Sequence, residues 1–359
     1  LIVIEKIGFF MGHIEEIPEL KKKSGTALVL SGGATKAFYF HLGVMNILRP
    51  DDITSIVGSS AGAVMGAFLA SGIAPETLIS ALHQGKVYIP KFDAWVKSLT
   101  SGMLFRPNYV DIAKQAVRST VETALFLASM PWLRGKDVVA ETLERVMSGA
   151  PDIRAIFNSG ALEELFRTLL PSPDFRDTDI DLYVTATALD SKTRAVFNSV
   201  YDFECHEDAF MTDVPIHRAI RASTAVPGLF DPVKIKGQYW VDGEIKRTLS
   251  ADIGVSLADR IIISHTYQPL WLENGATVAD MGAVNILRQS VITVVHERIN
   301  RWRERFEEKN RYKEVIWIHP DPDDIEFFLA PEFSFSYETQ KRLIRSGELA
   351  ALKVLGHTK

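Results

Sequence analysis

Two small-residue turns near the start of this chain constrain its fold more than any other feature. The apolar, β-branched run TALVLS (26–31) runs into Gly32-Gly33. A second apolar run, 53–57, runs into Gly58-Ser59-Ser60-Ala61-Gly62. Short apolar runs bounded by glycine turns are the pattern of buried strands. Between them, Ala37–Leu48 carries Phe38, His41, Leu42 and Met45 at helical spacing and stops before Pro50. A further helix is expected from Ala61 to about Ser71. The order strand, loop, helix, strand, turn, helix is a βαβ unit opening a parallel sheet. Parallel strands end at one edge of their sheet, so the two turns are expected side by side.

Each turn has a chemical reading. GSSAG matches G-x-S-x-G, the pattern of a strand-turn-helix elbow in which Gly58 and Gly62 make room and Ser60 stands at the tip over a helix N-terminus. The same five residues also serve as a plain tight turn, and on this motif alone the two readings stand level. In the first turn, the N–H groups of Gly33 and Ala34 are candidates to hold an oxyanion over Ser60, with Gly32 shaping the turn and Lys36 adding positive charge. The turn is a poor dinucleotide fingerprint, because Ala34 and Ala37 stand where that pattern needs its later glycines.

A nucleophilic serine needs a partner. An ordinary triad would draw its histidine from His83, His206, His217, His265, His296, His319 or His357, and His265, just after a strand, is the best placed. Against that fold, only one βα unit precedes the elbow. The segment GQYWVDGE (237–244) supplies another partner: a strand, Tyr239–Val241, delivers Asp242 into a glycine turn. Asp-Gly is also a common turn dipeptide.

These three pieces, in this order, resemble the patatin-like phospholipases of bacterial type. That family has a glycine-rich oxyanion loop, a G-x-S-x-G elbow and an Asp-Gly dyad motif. Here they read SGGATKA (31–37), GSSAG (58–62) and Asp242-Gly243-Glu244. DLYVTATALDSKTRAVF (181–197) is similar to the family's central strand pair, and AIRASTAVPGLFDPVKIKGQYWVDGE (219–244) to the segment leading into its aspartate. The resemblance spans roughly 26–265. It implies a three-layer α/β/α fold with a mainly parallel sheet, a helical insertion or cap, and a Ser60–Asp242 dyad that works without histidine, metal or cofactor. The implied substrate is a lipid or other acyl ester, cleaved by hydrolysis. Acyl transfer, thioester cleavage and non-catalytic lipid or partner binding on the same fold remain the alternatives. Three departures stand out: Ala34 and Ala37 replace loop glycines, and Glu244 replaces a small residue. A β-carbon in a left-handed conformation costs about 1–2 kcal/mol.

The rest of the chain sets limits. With 359 residues, 47% of them hydrophobic, it is long enough for a large core. A net charge of −5 argues against a nucleic-acid partner. The one cysteine, Cys205, excludes an internal disulfide, and Cys205-His206-Glu207-Asp208 lacks zinc spacing. Asp321–Asp324 (DPDD) lacks the spacing of a calcium loop. No apolar run reaches membrane-spanning length. These features fit a cytoplasmic protein with peripheral membrane contact; the sequence opens on Leu1, so the absence of a leader has no weight. Residues 1–25 read as an extension, 26–265 as the catalytic domain with 75–170 as its helical insertion, and 266–359 as a C-terminal extension on the same domain. Further strands are expected at 181–188, 194–198, 233–235, 239–241, 260–264 and 314–318, and helices at 215–223, 284–309 and 335–355. TVETALFLASMPWL (120–133) and FFLAPEFSFS (327–336) are apolar stretches suited to an acyl channel or a membrane surface.

Overall fold

A computed structural model describes residues 20–48, 52–97, 155–157, 159–273, 275–309 and 311–357. The βαβ unit is its nucleus. Strands β1 (Thr26–Leu30) and β2 (Ile53–Ser59) pair in parallel, with Leu30 opposite Gly58, and helix α1 (Ala34–Ile47) crosses between them. Helix α2 (Ala61–Ala70) leaves β2 directly, and α3 (Pro75–Gln84) follows.

The stretch after α3 departs from the helical expectation. β3 (Lys86–Ile89) and β4 (Ala94–Lys97) form an antiparallel hairpin, with Tyr88 opposite Trp95 and their rings 5.3 Å apart. The aromatic cross-strand pair and the turn at Pro90 favour this over a helix. β5 (Ala155–Phe157) is also extended, whereas α4 (Gly160–Leu169) is helical as expected. Residues 98–154, including the 120–133 stretch and Pro107, Pro131 and Pro151, lie outside the described residues.

The remaining elements are β6 (Asp181–Ala188), β7 (Arg194–Phe197), β8 (Phe203–Cys205), β9 (Asp208–Met211), α5 (Ile216–Ser223), β10 (Gly228–Phe230), β11 (Val233–Ile235), β12 (Gln238–Asp242), α6 (Ala251–Leu257), β13 (Arg260–Ser264), α7 (Ala283–Lys309), β14 (Glu314–Ile318), α8 (Ile325–Leu329) and α9 (Tyr337–His357). The sheet runs β14-β13-β1-β2-β6-β7-β9-β8 and is parallel from β14 through β6. β10 pairs with β5 in a small separate sheet.

Strand alternation splits the core into two faces. Leu28, Leu30, Ile56 and Val184 pack with α1, α2, α5 and α9 on one side. Val29, Val57, Tyr183 and Val196 pack with α6 and with Ile299 and Trp302 of α7 on the other. Helices therefore cover both faces, which is the three-layer α/β/α arrangement. Among the described residues no single helix is long and apolar enough to cross a membrane.

One detail of register builds the site. On one edge of β6, β2 pairs in parallel up to Ser59 opposite Thr185, and β12 pairs antiparallel from Asp242 opposite Ala186 onward. β7 covers the other edge. β2 and β12 thus meet end to end along one strand edge, and the residues at the meeting point are Ser60 and Asp242.

Candidate active site

Ser60 sits at the junction of β2 and α2 with φ 51° and ψ −120°. A non-glycine residue held there stores on the order of 1–3 kcal/mol. Its N–H donates to Ser223 Oγ at 2.8 Å. Close backbone approach explains the flanking glycine: a Cβ at Gly62 would stand 2.2 Å from the Leu30 carbonyl oxygen. Gly58 faces Gly62 across the same elbow.

Asp242 ends β12, buried at 4% exposure. Its N–H donates to the Ala225 carbonyl at 3.0 Å, and Gly243 N–H to the Ser223 carbonyl at 3.3 Å. Ser223 therefore supports both halves of the site, its hydroxyl under Ser60 and its carbonyl under the Asp242 turn. No sequence motif marks it. Burial pushes the Asp242 carboxyl up to about 6. What opposes burial is the neighbouring Ser60 hydroxyl and the N–H of Glu244, which donates to Oδ1 at 2.9 Å, rather than a cation.

The glycine-rich loop closes over this pair. A Cβ at Gly32 would lie 3.0 Å from Ser60 Cβ, so the two turns meet as the βαβ reading requires. Gly33 has φ 126° and Ala34 has φ 56°, so the alanine does occupy a left-handed position. The N–H groups of Gly33 and Ala34 have no hydrogen-bond partner among the described residues. Behind the loop, buried His41 bridges Ser264 Oγ at 2.8 Å and the Ser31 carbonyl at 3.0 Å. Burial pushes the imidazole down to about 4, which keeps it a neutral strut.

Lys36 is placed differently from the sequence expectation. Its Nζ donates to the Phe328 carbonyl at 3.2 Å, lies 3.6 Å from Glu332 and 4.5 Å from the Phe327 ring centre. Its charge is directed at the C-terminal segment rather than over Ser60, and burial, opposed by Glu332, brings it down to about 8. Thr35 Oγ1 ties the same segment to the loop through the Glu332 carbonyl at 3.0 Å. His265 is also elsewhere: its ring packs on Trp317 and His319, and it makes no hydrogen bond to Ser60.

Ser60 opens into an apolar pocket of about 70 Å³ lined by Phe38, Val64, Leu162, Phe166, Phe230 and Phe333. Phe333, from the 327–336 stretch, reaches the pocket, whereas Phe327 and Phe328 are buried in the core. The other polar clusters disperse. Asp208 pairs with Arg194, Glu207 with Lys246 at 2.7 Å, and Asp321 with Lys353 at 2.7 Å, while Asp324 caps α8. Among the described residues no three metal-binding side chains converge.

A strained serine at a strand-helix elbow, a buried carboxyl beside it, two N–H groups unpaired among the described residues and an apolar pocket suit acyl transfer to a hydroxyl. The patatin-like phospholipase family profile matches residues 28–254, more than half of the chain. Among solved structures, VipD from Legionella pneumophila aligns at 16% identity over 95% of this chain and 68% of its own, with a TM-score of 0.38. Full-length ExoU of Pseudomonas aeruginosa, in complex with SpcU, aligns at 18% identity over 94% of this chain and 54% of its own, with a TM-score of 0.29. The chain thus spans about two thirds of the first of these and about half of the second. No curated protein matches it in sequence. By the family match, the chain belongs to the patatin-like phospholipases, a family of lipid acyl hydrolases.

Proposed function

We propose that the protein is a serine hydrolase of acyl esters, of the phospholipase A, lysophospholipase or esterase type, working through a Ser60–Asp242 dyad. The observation that supports this most is the end-to-end meeting of β2 and β12 along β6, which brings Asp242 next to Ser60, and Ser60 in turn lines an apolar pocket.

In this reading Asp242 accepts the Ser60 proton as Oγ attacks the ester carbonyl. The tetrahedral oxyanion takes hydrogen bonds from Gly33 and Ala34 N–H. Collapse breaks the C–O bond of the ester, and Asp242 returns the proton to the departing alcohol. Water, deprotonated by the same carboxylate, then attacks the acyl-serine and releases the fatty acid with Ser60 restored. A carboxyl pushed up to about 6 is a better base than an ordinary aspartate and is still ionised at neutral pH. The pocket beside Ser60 takes the acyl chain near its ester end, and peripheral contact with a lipid surface delivers it.

Hydrolysis of a nitrophenyl acyl ester and of phospholipid vesicles by the wild type, Ser60→Ala and Asp242→Asn tests this. Ester cleavage by the wild type and its loss in both variants is the expected result. A wild type that cleaves no acyl ester, or variants that keep full activity, overturns the reading.

A further inference from the structure

Glu244 stands where the family pattern has a small residue, and its side chain reaches back from the Asp242 turn to the glycine-rich loop. Its Oε1 accepts from Gly32 N–H at 2.9 Å and its Oε2 from Leu249 N–H at 3.2 Å. The Tyr267 phenol stands beside the same carboxyl and bears on its charge. A Cβ at Gly32 would lie 2.7 Å from Glu244 Cγ, 3.0 Å from Ser60 Cβ and 3.3 Å from Tyr267 Oη. The bare backbone of Gly32 is therefore what admits this long side chain. On its other side, Glu244 gives its own N–H to Asp242 Oδ1. One residue touches both the loop that would hold the oxyanion and the carboxylate that would serve as base.

The donor count points to the charged form. Two backbone N–H groups donate to this carboxyl, one to each oxygen, and only the ionised form offers an acceptor to both without adding an O–H of its own. Protonation puts a donor against donors and loosens the hold on Gly32 or Leu249. The titratable groups facing it are Asp242 at the end of β12 and Tyr267 beyond β13. A buried and a partly buried carboxyl this close also interact, so ionising Glu244 makes Asp242 hold a proton more strongly.

We propose that Glu244 is a positioning residue whose ionised carboxylate both fixes the glycine-rich loop beside Ser60 and strengthens Asp242 as a base, so that one proton controls the two together. This rests on the dyad reading above. Burial, opposed by the Gly32 N–H and reinforced by the Asp242 charge, pushes Glu244 up to about 7, so that proton leaves near neutral pH.

The first test follows the Gly32 amide in protein labelled with ¹⁵N-glycine. Its resonance is expected to titrate with a midpoint near the Glu244 value of about 7 in the wild type and in Ser60→Ala, and not in Glu244→Gln. The second follows ester hydrolysis against pH. The wild type should rise steeply between about pH 6 and 7 as two coupled protons leave. Glu244→Gln and Glu244→Ala should rise with a single proton at lower pH, and kcat should fall roughly 10- to 100-fold with KM little changed. A Gly32 resonance that does not titrate, or one that still titrates in Glu244→Gln, overturns the proposal. So do variants that keep the wild-type kcat and the two-proton rise. If the wild type cleaves no acyl ester, the hydrolase reading falls by itself, and the Gly32 titration still decides whether Glu244 controls the loop.

Discussion

Asp242 stands opposite Ala186 on one edge of β6, and Arg194 stands opposite Thr187 on the next strand, β7. Each lies at the centre of a buried carboxylate cluster. Around Arg194 every charge is met. Its guanidinium binds Asp208 at 2.7 and 2.9 Å and Asp252 at 2.8 and 2.9 Å, and Arg247 adds a second cation to Asp252 at 2.7 Å. Burial alone would push Asp252 up, but the Arg194 charge, with Arg247, pulls it below its ordinary value. Around Asp242 burial wins, and both Asp242 and Glu244 are pushed up, to about 6 and about 7. The same sheet thus carries one cluster whose carboxylates are met by arginines and one whose carboxyls are pushed up toward neutrality. The contrast separates a charge-paired cluster from the one proposed as reactive, which is left without a cation among the described residues.

That contrast can be broken at either end. The largest effect is expected from Ser60→Ala, which removes the proposed nucleophile and should lower ester hydrolysis more than about 10,000-fold, while thermal unfolding shows the fold retained. Next comes Arg194→Met, which strands Asp208 and Asp252 without a shared cation. Urea unfolding at pH 7 should show a loss of about 3–5 kcal/mol, and a loss below about 1 kcal/mol would mean that the cluster holds little together.

Asp242→Asn sharpens the comparison, because it should inactivate and stabilise at once. A carboxyl raised in the folded state favours folding when protonated, and that contribution is lost as pH rises through about 6. At pH 8 the buried charge costs on the order of 3 kcal/mol. The variant should therefore be more stable than the wild type at pH 8, with the difference vanishing toward pH 4. A variant less stable at both pH values contradicts the electrostatic account. The smallest effect is expected at Ala34→Gly. Relief of the φ 56° strain is partly cancelled by glycine's extra freedom when unfolded. A net gain of about 0.5–1 kcal/mol in thermal or urea unfolding is expected, and hydrolysis that holds or improves slightly would show that the loop was strained but correctly shaped.

The first half of the site was legible from local sequence. TALVLS and ITSIVG are too short and too apolar for anything but buried strands, and the glycines after them mark where the chain must turn. Their adjacency followed from the parallel βαβ rule. Asp242 needed more. Nothing local says that β12 will dock on β6 just beyond the end of β2, which is a property of sheet topology; the resemblance to a family supplied only the pairing of Asp242 with Ser60. Ser223 and the reach of Glu244 depend on contacts far apart in the chain, 163 residues for Ser60 and Ser223 and 212 for Gly32 and Glu244, so no window could show them. Lys36 was misjudged for the same reason: its direction is set by Phe328 and Glu332, nearly three hundred positions away. The hairpin at 86–97 was missed because strands of four residues leave too short a record for their alternation to outweigh the helical pattern around them.

The central claim, that Ser60 is activated by Asp242 and not by histidine, is tested most directly by covalent labelling with a fluorophosphonate, located by peptide mass spectrometry. A single adduct on Ser60 is expected at pH 8, forming more slowly at pH 5. It should be absent from Asp242→Asn and retained in His265→Ala. An adduct on another residue, or labelling of Ser60 that survives Asp242→Asn and disappears in His265→Ala, would contradict it.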